Sequence, residues 1–310
     1  MSIEAFDRVH LDGTGIDRIT EDEVVAVVRD ALAHGRGGRI ITPNVDILRR
    51  ASADPRVRRH LDDADLIVAD GMPLVWASRL GGSPLPERVA GSSLIWSLSR
   101  GLGRDARSVF VIGGIPAGTD RPAGARARRS DSAAEAHATD GDRPAGAHAT
   151  DGDRPVGAHA TDGERLSGER PSGAERAAAR LAAASPGLRI AGAVSPPFGF
   201  ERDEARYARF RAEVTEARPD LVFVGLGFPK QELVIERLRE HLPSTWFIGC
   251  GAAVNFVAGD VHRAPRWMQR TGLEWAHRLG AEPRRLAGRY LRHDAPYALR
   301  LLARAPRGRP

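Results

Sequence analysis

A carboxylate at the end of a buried apolar run is a natural place for acid–base chemistry. The segment D-L-I-V-A-D-G-M, residues 65 to 72, supplies one in Asp70. The run reads as a β-strand that ends on Asp70 and turns at once through Gly71. Burying a charge costs desolvation unless it faces a cleft, and open α/β sheets place ligand clefts outside the carboxyl ends of their strands. Asp70 is therefore the leading candidate for a catalytic base, although the position equally suits a carboxylate capping the following helix. A second dense segment is G-L-G-F-P-K-Q-E-L from Gly225. It places Lys230, Gln231 and Glu232 in the first turn of a helix with Pro229 at its first position. Gln231 can offer a donor and an acceptor to sugar hydroxyls or to a base edge; an ordinary solvated helix start is the plain alternative. Arg88, in the loop L-P-E-R-V-A-G, is either a surface charge or an anion clamp. Asn255, in G-C-G-A-A-V-N-F, suits a helix cap or a contact to a base edge.

Positioning such groups takes a sheet whose strands all point one way. Thr42-Pro43-Asn44, Asp70-Gly71, Gly113-Gly114, Gly225-Leu226-Gly227 and Gly249-Cys250-Gly251 each follow an apolar run. In a parallel sheet these turns gather on one edge, where glycines admit a ligand to the backbone and helix N-termini offer N–H groups to phosphate. The Rossmann fingerprint G-x-G-x-x-G is not met at Gly225 or Gly249, because its third glycine is replaced by Lys230 and Val254, and no Walker G-K-[ST] occurs. The remaining pattern alternates strand and helix. Thr20 and Glu23 form a capping box before a helix with Val24, Val28 and Leu32 on one face. A strand to Ile41-Thr42, a helix capped by Asn44 and another opened by Asp54-Pro55 precede the strand at 65–69. Helices over about 73–80 and 92–100 lead to S-V-F-V-I, and a helix from Ala174 leads to L-R-I-A-G-A-V. The last strands start near Asp220 and Thr245. This order predicts an α/β fold, a Rossmann-like and mostly parallel sheet with helices on both faces.

Three regions emerge. Residues 1–117 and 174–260 form one α/β catalytic domain. Residues 118–173 are a low-complexity insertion in which H-A-T-D-G-D-R-P-A-G-A starts at His137 and recurs from His148 and, with variations, from His159. Its units hold Gly and Pro and almost no large apolar side chains, so they cannot offset ordering entropy and are expected to be disordered. The D-G-D triplets and histidines there look like metal ligands but are read as accidents of the repeat. Residues 261–310 form a basic helical C-terminal appendage: twelve arginines stand against Glu274, Glu282 and Asp294 in a chain of net charge +6. With Trp267, Trp275, Tyr290, Leu291 and Tyr297 interleaved, this appendage suits an anionic membrane surface or phosphates. A nucleic-acid face is the competing explanation. No apolar run approaches the roughly 18 to 20 residues that span a bilayer. The N-terminus lacks a signal-peptide pattern, and the single cysteine, Cys250, excludes an intramolecular disulfide. A cytoplasmic protein is expected.

The runs D-G-M-P-L-V-W, L-P-E-R-V-A-G-S, F-V-G-L-G-F-P-K-Q-E, the long segment G-C-G-A-A-V-N-F-V-A-G-D-V-H-R-A-P-R-W-M-Q-R-T-G-L-E-W-A-H-R-L and the ending E-P-R-R-L-A-G-R-Y-L resemble the WecG/TagA/CpsF family of bacterial glycosyltransferases. The match runs in order through nearly all of the chain outside the repeats. The resemblance implies an inverting transferase that moves N-acetylmannosamine or a relative from a UDP donor. The acceptor would be a polyprenyl-diphosphate-linked sugar at the inner membrane face, in teichoic acid or other cell-surface polysaccharide assembly. It implies Asp70 as base, with Thr42, Asn44, Arg88 and Gln231 lining the sugar cleft. Gly225, Gly227 and Lys230 join them through the shared P-K-Q-E segment, and Asn255 stands where the family often has aspartate, at a place that contacts uracil. Arg278, Arg285 and then Arg289 are the arginines it implies for the UDP diphosphate. It further implies a peripheral membrane enzyme that needs no cofactor or metal and binds no nucleic acid; a homo-oligomer is left open. A nucleotide-linked oxidoreductase and a nucleic-acid binder using the basic tail are the other readings of the same chain.

Overall fold

The computed structural model describes residues 6–118, 170–265, 267–268, 274–281 and 283–305; the side chains of Arg278, Ala281 and Arg285 fall outside this set. The repeats expected to be disordered lie outside the described residues. An N-terminal hairpin comes first, β1 Arg8–Leu11 paired antiparallel with β2 Thr14–Asp17. Asp12 and Gly13 both take positive φ, 48° and 77°, which is the two-residue turn that follows the twist of a hairpin.

The main sheet has six strands: β3 Gly38–Ile41, β4 Leu66–Ile67, β5 Ser108–Gly113, β6 Arg189–Val194, β7 Leu221–Gly225 and β8 Trp246–Gly249. Their order is β4-β3-β8-β7-β5-β6, and every neighbouring pair is parallel. The connecting helices are α1 Glu21–Ala33, α2 Val45–Ala53, α3 Pro55–Asp62, α4 Met72–Leu80, α5 Gly91–Gly103, α6 Gly173–Ala184, α7 Glu204–Glu216, α8 Lys230–Arg239 and α9 Ala253–Ala258. The C-terminal region adds α10 Glu274–Ala281, α11 Pro283–Arg289, a π-helical turn Tyr290–Asp294 and α12 Ala295–Arg304. Among the described residues no helix is long and apolar enough to cross a membrane.

Strand residues alternate between two cores, as the period of two requires. Val109, Val111, Leu221, Phe223, Trp246 and Ile248 face α1, α5, α6 and α9. Phe110, Ile112, Val222, Val224 and Phe247 face α7 and α8. Ile41 and Ile67 face a third cluster that includes α2, α3 and α4 together with Tyr297 and Leu301 of α12. Helices therefore cover both faces, and the last helix is seated on the α/β core. The expected caps form: Thr20 and Glu23 make a capping box, Asn44 Oδ1 accepts from Ile47 N–H, and Asp54 accepts from Arg56 N–H.

Three local expectations change. The strand expected over 65–69 is regular only at Leu66–Ile67. Val68 N–H still donates to Ile41 O and Asp70 N–H to Pro43 O, both at 3.0 Å. Pro43 has no N–H to return, so the ladder stops there. Pro229 stands at the cap of α8, after a cis Phe228–Pro229 peptide, and the helix begins at Lys230. Asn255 is an interior residue of α9, with Ala252 in the cap position.

Candidate active site

Because β3, β4, β5, β7 and β8 are parallel, the turns that follow them share one edge of the sheet. The chain leaves β3 toward β4 on one side, while α9, leaving β8, packs on α6, β5 and β7 on the other. Adjacent strands that send their connections in opposite directions open a crevice between them. Thr42 is buried in that crevice. Gly91, the first residue of α5, packs closely beside it: a Cβ there would lie 3.3 Å from Cys250 Cα and 3.5 Å from Thr42 Oγ1. Burial pushes the Cys250 thiol up to about 12, so it stays protonated and is no nucleophile.

Asp70 arrives in extended conformation beside this crevice. Its N–H donates to Pro43 O, and Val89 N–H donates to Ala69 O at 2.9 Å. The segments carrying Thr42, Asp70 and Arg88 thus run side by side. Gly71 is the cap of α4, and Asp70, one residue earlier, is half-buried. Asn44 caps α2 at the same edge and is exposed. Arg88 Nη1 donates to Glu274 Oε2 at 3.2 Å, and both side chains are largely buried. Glu274 also lies 3.9 Å from Arg263 Nε, and Arg263 Nη1 donates to Ser92 O at 3.2 Å. The first described helix of the appendage therefore meets the loop of Arg88 and the start of α5 through one carboxylate.

Gln231 is buried beneath the glycine turn after β8. Its Nε2 donates to Glu232 Oε1 at 2.9 Å, and its Oε1 accepts from Gly251 N–H at 3.0 Å. Glu232, fully buried, also accepts from Arg39 Nη2 at 2.6 Å, and Arg39 reaches Asp63 at 3.0 Å. A charged acceptor on one side fixes which end of the Gln231 amide faces Gly251. Gly225 packs where a Cβ would lie 2.5 Å from Val254 Cγ2, and Gly227 takes a φ of 79° just before the cis-proline. Lys230 Nζ pairs with Glu201 at 3.0 Å and lies over the Phe198 ring. Burial opposes ionisation of Glu201, yet its own backbone N–H and Lys230 hold its carboxyl below the usual range.

Asn255 Oδ1 is buried with no hydrogen-bond partner among the described residues. Arg289 lies 3.4 Å from Asp294 and over the Tyr290 ring, and Asp294 in turn lies 3.9 Å from Arg49 of α2. Arg278 and Arg285 belong to α10 and α11, with side chains outside the described set. Among the described residues no group of three or more His, Cys, Asp or Glu could hold a metal ion. Sequence reasoning did not single out Glu274, Arg39 or Glu232 as a partner, because each pairs across more than a hundred residues.

A family model described as "Glycosyl transferase WecG/TagA/CpsF family" matches residues 9–141 and 160–310. Two curated relatives carry the name N-acetylglucosaminyldiphosphoundecaprenol N-acetyl-beta-D-mannosaminyltransferase. The one from Bacillus spizizenii is 27% identical over 254 residues, 82% of this chain and 75% of the relative. The one from Bacillus subtilis is 39% identical over 98 residues, 32% of this chain and 36% of the relative. With the sheet, the glycine turns and the C-terminal helices in the order the sequence resemblance implied, the chain belongs to the WecG/TagA/CpsF family of glycosyltransferases.

Proposed function

We propose that this enzyme transfers N-acetylmannosamine or a closely related sugar, with inversion, from a UDP donor to a polyprenyl-diphosphate-linked sugar at the cytoplasmic face of a membrane. The reading places it in cell-surface polysaccharide or teichoic acid assembly. The observation that carries it is the convergence of the Thr42, Asp70 and Arg88 segments on one crevice in a chain whose relatives are named as N-acetylmannosaminyltransferases acting on N-acetylglucosaminyldiphosphoundecaprenol.

Inversion needs a base for the acceptor hydroxyl on the face opposite the leaving group, and Asp70 takes that role. Thr42, Asn44 and Gln231 hold the sugar, Gln231 through the backbone of the Gly251 turn as well as its amide. Gly225, Gly227 and Lys230 form the adjoining rim. The unpartnered Asn255 Oδ1 suits the N3–H donor of uracil, and a buried acceptor left unmatched costs about 1–3 kcal/mol. Guanidiniums neutralise the departing diphosphate, Arg88 at the crevice with Arg278, Arg285 and Arg289 from the appendage, so the reaction is read as needing neither metal nor cofactor. The same appendage seats the enzyme peripherally on the bilayer.

The test is Asp70→Asn, assayed with a panel of UDP-sugars against one lipid-diphosphate-linked N-acetylglucosamine. The variant should bind donor as the wild type does, while turnover falls by roughly 10²–10⁴-fold. Near wild-type turnover removes Asp70 as the base. Failure of every UDP-sugar to react with the wild type removes the donor assignment.

A further inference from the structure

The crevice leaves a second concave region unexplained. Between α12, the last turn of α2 and the β1–β2 turn lies a cavity of about 420 Å³, whose walls include Asp12, Arg49, Tyr297, Arg300 and Arg304. A neighbouring cavity of about 240 Å³ shares Arg49, Tyr297 and Arg300 and adds Arg292. Four guanidiniums therefore line these two neighbouring cavities. Three carboxylates accompany them: Arg49 bonds Asp46 at 2.7 Å and lies 3.9 Å from Asp294, and Asp12, 3.6 Å from Arg304, accepts the Tyr297 hydroxyl at 2.5 Å. Arg292 and Arg300 have no carboxylate partner among the described residues. The two cavities together carry a net positive charge beside an intact tyrosine hydroxyl, and planar guanidinium forks match phosphate oxygens.

The place is not the catalytic crevice. Ser52 and Ala53, which line the larger cavity, sit at the far end of α2 from Asn44, about 12 Å away at the rise of an α-helix. We propose that this arginine-lined cavity is a second anion site that takes a phosphate-bearing group, distinct from the sugar-donor crevice. A phospholipid headgroup and a free phosphate or diphosphate share the chemistry that it recognises. Leu291 and Leu299, exposed on the same stretch of chain, give a headgroup an apolar flank. The proposal does not depend on the glycosyl-transfer reading.

The double variant Arg292→Ala/Arg300→Ala tests it in the full chain, since both side chains are exposed and neither holds the fold. Its control is Arg206→Ala/Arg209→Ala on α7, which removes the same charge from another exposed surface. Two probes are used: inorganic pyrophosphate by calorimetry, and vesicles of phosphatidylglycerol in phosphatidylcholine by flotation. Loss of two arginines from a phosphate-binding surface should weaken binding by roughly 30-fold in the test variant and little in the control. A loss confined to vesicles identifies the lipid headgroup as the source, and a loss confined to pyrophosphate identifies a soluble anion. Equal binding by wild type and test variant with both probes overturns the proposal, as does an equal loss in the control.

Discussion

Glu232 and Arg39 meet at 2.6 Å with no exposure of either side chain, directly below Gln231 and the Gly251 turn. Breaking a buried pair on one side leaves a charge without compensation, whereas replacing both partners by apolar groups is far milder. Glu232→Leu should therefore destabilise the protein by about 3–5 kcal/mol in urea unfolding, and Arg39→Met/Glu232→Leu should recover most of that loss. A double variant as unstable as the single one refutes the pairing. His60 supplies a second test at this scale. Burial, then the nearby Arg39, lowers its pKa. The unfolded chain takes up that proton near pH 6.5 while the folded protein resists, so stability falls as pH drops below about 6.5. The melting temperature should drop more between pH 7.5 and 5.5 in wild type than in His60→Asn, and identical drops exclude the effect. Asp70 and Thr42 were visible in the sequence as polar residues just past apolar runs, Arg88 as a loop arginine and Gln231 as part of a helix start. The partners of Arg88 and Glu232 were not, because Glu274 lies 186 residues from Arg88 and Arg39 lies 193 from Glu232.

The order of strands and helices was legible because each carries its own period and cap. The hairpin β1–β2 was missed even though Asp12-Gly13 marks it, since its strands are only four residues each. Helix α7 was missed as well; it is capped by Asp203 but buries only Tyr207, Phe210 and Val214. The shortness of β4 follows from Pro43 on its neighbour, a pairing that a linear reading does not reveal. Packing between elements makes a sharper prediction. Gly101, inside α5, faces α1 so closely that a Cβ would lie 2.3 Å from Val25 Cγ1. Alanine normally favours a helix over glycine by about 1 kcal/mol, but overpacking of this kind costs about 1–3 kcal/mol. Gly101→Ala should lower the melting temperature, and Gly101→Ala/Val25→Ala should restore it. A stabilising single substitution would show that the helices can move apart.

At the level of the whole molecule, the basic surplus of residues 261–310 announced an appendage, but not where it rests. Tyr297 and Leu301 bury themselves against α2, α3 and α4, and Tyr297 reaches Asp12 near the other end of the chain. Those two side chains together contribute about 3–6 kcal/mol of burial. Ending the chain after Asp294 should thus lower the melting temperature by roughly 10 °C while the sheet still folds. Ending it before Arg263 should also abolish transfer and vesicle binding; a fully active product of that truncation refutes the role given to the appendage.

The junction between β5 and α6 has a use of its own. A Cβ on Gly114 would lie 2.8 Å from the Gly173 carbonyl carbon, and Gly173 N–H donates to Ile115 O at 2.7 Å. Ile115 and Gly173 are therefore held side by side at this junction. An affinity tag or a fluorescent protein with adjacent termini can be spliced in at that junction without disturbing strand register.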